Sequence, residues 1–231
     1  MEPIIKTVKM SKHFGSGNKK VELFNDVDIS IGRNQLVGIR GRSGSGKTTL
    51  LNLFGALDTP TSGEIYVEGQ LLNSLDSRQR SELRRTKMGF VFQSYGLVPL
   101  MTVEENIEFG LRIVGIPREE RPDRIKRSVE IVGLEKRIHH RPFELSGGEQ
   151  QRVAIARAIA PGPSIILADE PTAELDTKTG FYIIQAFHEL IKNTETTIIM
   201  TSHDEEILSL IEHVYVLEDK RVAYEKNETT V

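Results

Sequence analysis

Gly41-Arg42-Ser43-Gly44-Ser45-Gly46-Lys47-Thr48 fits the pattern G-x-x-x-x-G-K-[ST] at every position. Its glycines let the backbone fold into a nest of inward-facing N–H groups, and a following helix adds its positive N-terminus. Lys47 adds a charge that can reach the β- and γ-phosphates of a nucleotide, and Thr48 offers a hydroxyl to Mg²⁺. Residues 34–39 predict a buried strand before this stretch, and residues 49–54 predict a helix after it. The order strand, loop, lysine and helix indicates a phosphate-binding loop.

The bulk composition is that of an ordinary globular protein. A chain of 231 residues can bury one substantial core and is expected to form a single domain, with or without a subsidiary lobe. The net charge of −3 gives no general attraction to nucleic acid, so we expect no nucleic-acid partner. The absence of cysteine excludes disulfides and thiolate metal sites, and favours a reducing compartment.

The sequence gives no sign of direct membrane insertion. The first six residues lack the apolar core of a signal peptide. No apolar run approaches the roughly 20 residues that are needed to span a bilayer. Any membrane role is therefore expected to come through a partner.

The N-terminal part predicts a small antiparallel sheet beside the nucleotide. Residues 4–9 predict a strand, residues 11–17 are rich in turn formers, and residues 23–31 predict a second strand. Phe14 is available to stack on a purine base. Taken alone, however, an aromatic residue at this position is more often a packing residue.

The middle of the chain changes from short strands to helices. Thr102 and Glu105 have capping-box spacing and open a predicted helix that ends near Val114. A second helix is predicted before Gly133. Residues 94–145 therefore predict a helical lobe inserted into an α/β core formed by residues 1–93 and 146–225, with a loose tail at 226–231. The basic stretch 77–87 is interpreted as a solvated helix face, because Glu82 interrupts it and no aromatic residues interleave.

Ser146 begins a second candidate anion site. Ser146 and Glu149 again have capping-box spacing, and predict a helix that continues to Ala160. Gly147 and Gly148 in its first turn cost roughly 1 kcal/mol each relative to alanine. That cost is explained if an anion has to approach the exposed N–H groups closely.

Polar side chains at three strand ends complete a constellation for nucleoside triphosphate hydrolysis. Asp169 and Glu170 follow the buried strand 164–168, at the edge where α/β sheets place their ligands. Asp169 suits Mg²⁺, and Glu170 can orient the attacking water or accept its proton. His203 follows another strand and could donate to the γ-phosphate. Gln93 follows a third strand and could reach Mg²⁺ or the attacking water.

These motifs together resemble the nucleotide-binding subunit of an ATP-binding-cassette (ABC) transporter, over residues 4–223. Walker A (41–48), the Q-loop glutamine Gln93, the signature 145–150, Walker B (165–170) and the switch histidine His203 each occur once, in the family's order. The resemblance implies an α/β P-loop NTPase core with an N-terminal antiparallel β subdomain and an inserted α-helical subdomain. It implies ATP and Mg²⁺ as ligands, with Glu170, His203, Lys47 and Gln93 as catalytic residues, Thr48, Gln93 and Asp169 at the metal, and Phe14, Gly41, Arg42, Ser43, Gly44, Ser45, Gly46, Lys47, Thr48, Thr49, Ser146, Gly147, Gly148 and Asp176 at the nucleotide.

The resemblance also implies a second copy of the chain. Ser146, Gly147 and Gly148 of one subunit would cover the γ-phosphate held by Walker A of another, which gives a head-to-tail homodimer around two ATP molecules. The sequence departs from the family pattern in three places. Phe14 stands where tyrosine is usual, residues 173–174 are Ala-Glu in the D-loop that ends at Asp176, and Arg42 adds charge near the phosphates.

The expected partner is an integral membrane permease, which would place the chain in the cytoplasm on the inner face of the membrane. Residues 94–100 match the position of the family's docking groove for a membrane-domain helix, although burial within the helical lobe is an alternative for Leu97-Val98-Pro99-Leu100. Residues 57–63, 90–93, 150–158 and 167–172 resemble the lipoprotein-release, macrolide-export and antimicrobial-peptide-resistance group.

Two other functions are compatible with a cassette. A soluble cassette acting on ribosomes or DNA would carry a second cassette or a long coiled coil, and this sequence contains neither. An adaptor that binds ATP without turnover would not need Glu170 and His203. The transported substance, the direction of transport and the identity of the permease are not encoded in a cassette of this kind.

Overall fold

The computed structural model describes residues 2–15 and 20–227, which form two β-sheets and the helices that pack on them. One sheet has five strands and the other has six. The elements in chain order are β1 Ile5–Phe14, β2 Val21–Val27, β3 Ser30–Ile31, β4 Leu36–Gly41, α1 Lys47–Phe54, β5 Ser62–Val67, β6 Gln70–Leu71, α2 Ser77–Lys87, β7 Met88–Val91, α3 Val103–Val114, α4 Arg121–Ile131, α5 Gly147–Ile159, β8 Ile165–Ala168, α6 Thr177–Asn193, β9 Thr197–Ser202, α7 Glu205–Ser209, β10 His213–Glu218 and β11 Arg221–Lys226.

The five-stranded sheet is antiparallel and is built mainly from the N-terminal strands. Its order is β2-β1-β5-β6, with β3 also paired to β1. The predicted turn-rich segment 11–17 is wrong as far as Phe14, because β1 pairs with β2 up to that residue, with register shifts at Met10 and Lys12. Residues 16–19 of that segment lie outside the described residues.

The predicted strand 23–31 is two strands, β2 and β3, because side chains satisfy the backbone at the break. The Thr7 hydroxyl donates to the carbonyl oxygen of Val27 at 2.9 Å and accepts from the N–H of Ile29 at 2.8 Å. Asp28 Oδ1 accepts from the backbone N–H of Lys9 at 2.7 Å. Around the break, Val27, Ile29 and Ile31 are all buried.

The six-stranded sheet positions the candidate site. Its order is β11-β10-β4-β9-β8-β7, and it is parallel except for the antiparallel β10–β11 pair. The carboxyl ends of β4, β8 and β9 therefore lie at one edge, where α/β folds bind ligands. The predicted α/β fold class with a separate antiparallel sheet is confirmed.

Residues 94–145 contain α3 and α4, which pack on α5 through a shared apolar core. Ile107, Val129 and Val153 are all buried in the same cluster. The predicted capping boxes are confirmed, with Thr102 and Ser146 each paired to the glutamate three residues later. This arrangement agrees with an inserted helical lobe, and the domain limits assigned from sequence stay a prediction.

Two basic residues of α2 donate hydrogen bonds to other segments of the chain. Arg84 donates to the carbonyl oxygen of Ala56 at 2.7 Å, and Arg85 donates to that of Val114 at 2.7 Å. Arg85 also pairs with Glu82 at 2.6 Å. These arginines join α2 to neighbouring segments of the chain.

The last two described strands, β10 and β11, form a β-hairpin that turns at Asp219-Lys220. Both turn residues have positive φ, 48° and 64°, as a two-residue type I′ turn requires. The predicted loose tail is wrong for Lys226, which pairs with His213 in the hairpin, and for Asn227, whose side-chain amide donates to the carbonyl oxygens of Leu208 and Ile211. Residues 228–231 lie outside the described residues.

Candidate nucleotide site

The loop between β4 and α1 has the backbone that the sequence pattern predicts. Gly44 and Gly46 have φ angles of 77° and 99°, in the left-handed region that favours glycine. A Cβ atom at Gly46 would also lie 2.8 Å from the ring of Phe24. Only glycine fits this position, where the loop turns into α1 and the helix N-terminus faces the cleft.

Lys47 is held over the loop that precedes it. Its Nζ donates to the carbonyl oxygens of Gly41 at 2.8 Å and Arg42 at 3.3 Å, and lies 3.7 Å from Glu170 Oε1. The residue is only 7% exposed. Its charge is therefore fixed within the cleft, where a phosphate group would meet it.

Thr48 and Asp169 form a pair that suits Mg²⁺. The Thr48 hydroxyl donates to Asp169 Oδ2 at 2.7 Å. Within residues 2–15 and 20–227, no group of three or more His, Cys, Asp or Glu side chains is arranged to hold a metal. A hydroxyl and one carboxylate still fit Mg²⁺, because this ion usually takes few protein ligands and completes its shell with phosphate oxygens and water.

Glu170 is held in an uncommon conformation beside His203. Its φ angle is 48°, which is rare for a residue other than glycine and is concentrated at functional sites. Its Oε2 lies 3.1 Å from Nδ1 of His203. The two side chains come from the ends of neighbouring strands, β8 and β9, so the sheet order brings them together.

These residues line one cleft of about 530 Å³. Its lining includes the sequence-predicted Ser43, Gly44, Gly46, Lys47, Thr48, Thr49, Gln93, Asp169, Glu170 and His203, together with Leu23. The elements that deliver them are the P-loop with α1, and the ends of β7, β8 and β9. The predicted strand-end residues are therefore gathered around the P-loop.

A second cavity of about 590 Å³ takes in Gly41, Arg42 and Ser45. The buried Ser45 Oγ has no hydrogen-bond partner among the described residues. A buried hydroxyl is costly to leave unpaired, and a phosphate oxygen would accept its hydrogen bond. Ser45 is thus an orphaned donor that fits a nucleotide phosphate.

The signature residues do not line the P-loop cleft in the part of the chain that the structure describes. Ser146 caps α5 by accepting from the N–H of Glu149 at 3.2 Å. Arg137 donates to Glu149 at 2.8 Å and, as the largest cause, lowers the pKa of that carboxyl. The N-terminus of α5 is therefore capped by its own residues and does not contribute to the lining of this cleft.

Close packing within the chain gives Gly147 and Gly148 a role that the sequence interpretation missed. A Cβ atom at Gly147 would lie 3.1 Å from the Tyr95 hydroxyl, and one at Gly148 would lie 3.2 Å from the carbonyl oxygen of Glu174. The glycines thus admit neighbouring loops of the same chain. Close approach of an anion at these two glycines stays a prediction.

Phe14 and Asp176 also lie outside the residues that line this cleft among those described. Phe14 ends β1, is 47% exposed, and has Lys12 Nζ 4.8 Å from its ring centroid. Asp176 caps α6, where it accepts from the N–H and the hydroxyl of Thr179 at 3.0 and 2.6 Å. The hydroxyl contact lowers the pKa of Asp176. Their roles at the nucleotide stay predictions.

Sequence reasoning missed two polar residues that organise the site. Thr201 in β9 contacts both Asp169 and Glu170. Arg157 in α5 donates to the carbonyl oxygens of Tyr95 and Gly96 in the segment after Gln93, and burial lowers the pKa of its guanidinium. The available signal for Thr201 was its position directly after the apolar run Ile198-Ile199-Met200, whereas α5 holds too many polar residues for Arg157 to stand out.

Fold and cleft together define a P-loop nucleoside triphosphatase. The sequence profile of the family described as "ABC transporter" matches residues 24–173. The chain belongs to this family.

Similar sequences support membership of the same family. The chain is 45% identical to an uncharacterized ABC transporter ATP-binding protein of Thermotoga maritima, over 87% of this chain and 86% of that protein. It is 41% identical to the macrolide export ATP-binding/permease protein MacB of Burkholderia cenocepacia, over 97% of this chain. The chain spans 33% of the length of that exporter.

Solved structures show the same fold. The chain matches the ATP-binding cassette MJ0796 of Methanocaldococcus jannaschii with a TM-score of 0.89 and 40% identity, over 96% of this chain and 98% of that chain. That cassette was solved as a dimer in a post-hydrolysis state bound to ADP and Pi. This chain is therefore an ATP-binding and ATP-hydrolysing cassette, and the alternative of a cassette for ribosomes or DNA gains no support from these relatives.

Proposed function

We propose that this chain powers a membrane exporter by closing and opening around ATP as a head-to-tail homodimer. One observation carries the proposal. Lys47, Thr48, Asp169 and Glu170 line one cleft, while the signature helix that should complete the phosphate site begins elsewhere on the same chain. A second copy, related by a two-fold axis, would supply the missing half to each of two sites.

The proposed residue roles follow from the contacts in the cleft. Lys47 exchanges its carbonyl contacts for the β- and γ-phosphates. Glu170 orients the attacking water and takes its proton, and His203, 3.1 Å from Glu170, is placed to donate to the γ-phosphate. Thr48, Asp169 and Gln93 would hold Mg²⁺, which when bound neutralises charge on the phosphates.

The segment after Gln93 is the proposed contact for the permease. Leu97 packs against the core, whereas Leu100 is 80% exposed. Arg157 holds the start of the segment, and the Asn106 side chain holds its middle by exchanging hydrogen bonds with Val98, at 2.8 and 3.2 Å. A rigid segment with an exposed apolar tip suits a partner helix and would transmit movement from the signature helix.

Membrane association through a partner fits the rest of the chain. In the described ranges, no helix has both the length and the apolar character that a bilayer crossing requires. The family and the fused permease in the name of the macrolide exporter support a permease partner and a position on the inner face of the membrane. Likeness to that exporter also favours export, of a macrolide, a lipoprotein or a peptide.

Mixed dimers test the proposal directly. Lys47→Ala disables Walker A, and Ser146→Arg disables the signature, so each variant alone should have little ATPase activity. In a mixed dimer one of the two sites combines an intact Walker A with an intact signature. We expect activity to return on mixing, towards the level of one site per dimer.

The matched control mixes Lys47→Ala with Glu170→Gln. Both residues line the same cleft of one chain, so no mixed dimer contains an intact site. We expect no recovery from this pair. Two outcomes would contradict a site shared between two copies. One is recovery of ATPase activity in the control mixture, and the other is no recovery when Lys47→Ala is mixed with Ser146→Arg.

A further inference from the structure

Thr201 is a buried polar residue between the two carboxylates of the site. It lies in β9, whose six residues are all buried, and is itself 0% exposed. Its hydroxyl donates to Asp169 Oδ1 at 2.8 Å and accepts from the backbone N–H of Glu170 at 2.8 Å. Both contacts cross from β9 to the residues that directly follow β8.

These contacts use the hydroxyl's single donor and one of its acceptor positions. Asp169 Oδ1 is bound by Thr201 and Oδ2 by Thr48, so a hydroxyl engages each carboxylate oxygen. The carboxyl plane is thereby held between the strand β9 and the start of α1. Partners of this kind orient a metal-binding group without touching the metal.

The second contact stabilises the backbone of Glu170. This residue has a φ angle of 48°, a conformation that persists only when surrounding contacts over-determine it. Its N–H is held by Thr201, while its side chain reaches towards Lys47 and His203. The direction of the Glu170 side chain thus depends on a hydrogen bond that its own backbone N–H donates to the neighbouring strand.

We propose that Thr201 is the positioning residue that aligns the metal-binding Asp169 and the catalytic Glu170 with each other. One hydroxyl sets the carboxyl plane of the first and the backbone of the second. Loss of the hydroxyl alters both the response to Mg²⁺ and the rate of turnover. This inference rests on the Mg²⁺ role proposed above for Asp169.

The test compares Thr201→Val with Thr201→Ser in the full chain. Valine keeps the shape of threonine but lacks the hydroxyl, whereas serine keeps the hydroxyl. For Thr201→Val we expect the half-saturating Mg²⁺ concentration to rise and kcat to fall. The ratio of kcat to the half-saturating Mg²⁺ concentration should fall by about 10- to 100-fold. Affinity for ATP in EDTA should stay unchanged, and Thr201→Ser should restore most of the Mg²⁺ response.

Thr197→Val is the matched control for a buried hydroxyl in the same strand. Thr197 is also 0% exposed and accepts from the backbone N–H of Asn34 at 2.8 Å, at the opposite end of β9. We expect this variant to change the melting temperature but neither kcat nor the half-saturating Mg²⁺ concentration. An equal change in both variants would reduce Thr201 to a structural role and overturn the inference.

Asp169→Asn separates this inference from the function on which it rests. If Asp169→Asn shifts the Mg²⁺ response and Thr201→Val does not, only the role of Thr201 is overturned. If Asp169→Asn leaves the Mg²⁺ response unchanged, the proposed metal role of Asp169 is wrong, and the inference is overturned with it. A shift in both, with rescue by serine, supports the positioning role.

Discussion

Lys47 Nζ lies 3.7 Å from Glu170 Oε1, with side-chain exposures of only 8% and 17%. The same ammonium group donates to the carbonyl oxygens of Gly41 and Arg42. The Lys47 ammonium, which is expected to meet the phosphates, is therefore already paired. One of its partners is the Glu170 carboxylate, which is expected to orient the attacking water. We expect ATP to compete with Glu170 for Lys47, which would link nucleotide binding to release of this carboxylate.

Lys47→Ala should weaken ATP binding by about 10- to 100-fold, because a charge-assisted contact contributes about 1.5–3 kcal/mol and about 1.4 kcal/mol is a factor of ten. Titration calorimetry of the variant with ATP measures this directly. Lys192→Ala removes an exposed lysine that pairs with Glu189 outside the cleft, and should bind ATP like the unmodified chain. Unchanged affinity in Lys47→Ala would contradict the role of the lysine.

Glu170→Gln should bind ATP but hydrolyse it about 100- to 10,000-fold more slowly, because a positioned base contributes a factor of this size. With hydrolysis blocked, the closed dimer should accumulate. Light scattering after size-exclusion chromatography in ATP would detect it. Glu189→Gln, a surface substitution, should remain active and form no stable dimer. Turnover at the normal rate in Glu170→Gln would show that another group activates the water.

Leu100→Asp should reduce binding to the permease while leaving ATP turnover of the isolated chain intact. The side chain is 80% exposed, so the charge should cost little stability in the free chain but would be buried, unpaired, against an apolar partner. Co-purification from native membranes measures the association. Leu57→Asp places the same charge on another exposed leucine and should co-purify normally. Equal recovery of both variants would exclude Leu100 from the contact.

Stability should fall on acidification through Glu149. Its hydrogen bond from Arg137, then that from Ser146, lowers its pKa below the ordinary value of 4.5. The unfolded chain therefore binds more protons, so this stabilisation is complete above pH 4.5 and is lost as pH falls through the lower folded pKa.

Urea unfolding across this pH range, with Glu149→Gln, tests the assignment. The variant should lose part of the acid-dependent fall, because it has no proton to bind at this position. The exposed Glu195→Gln serves as the comparison and should keep the full dependence. Identical pH profiles for the two variants would show that Glu149 contributes nothing to acid sensitivity.

Features that depend on nearby residues could be predicted from the sequence. Helix α2 begins and ends at the predicted residues 77 and 87, because a helix cap is a local signal. The end of β1 and the break between β2 and β3 could not, because they depend on pairing and on the side chains of Thr7 and Asp28 across the sheet.

The sequence by itself determined the P-loop, the caps of its helices and the carboxylates and histidine that follow its strands, since spacing along the chain encodes each of these. Only the tertiary structure decided that β9 lies between β4 and β8. That neighbourhood places the Thr201 hydroxyl on Asp169 and His203 beside Glu170. Contacts between strands depend on sheet order and register, which no single segment specifies.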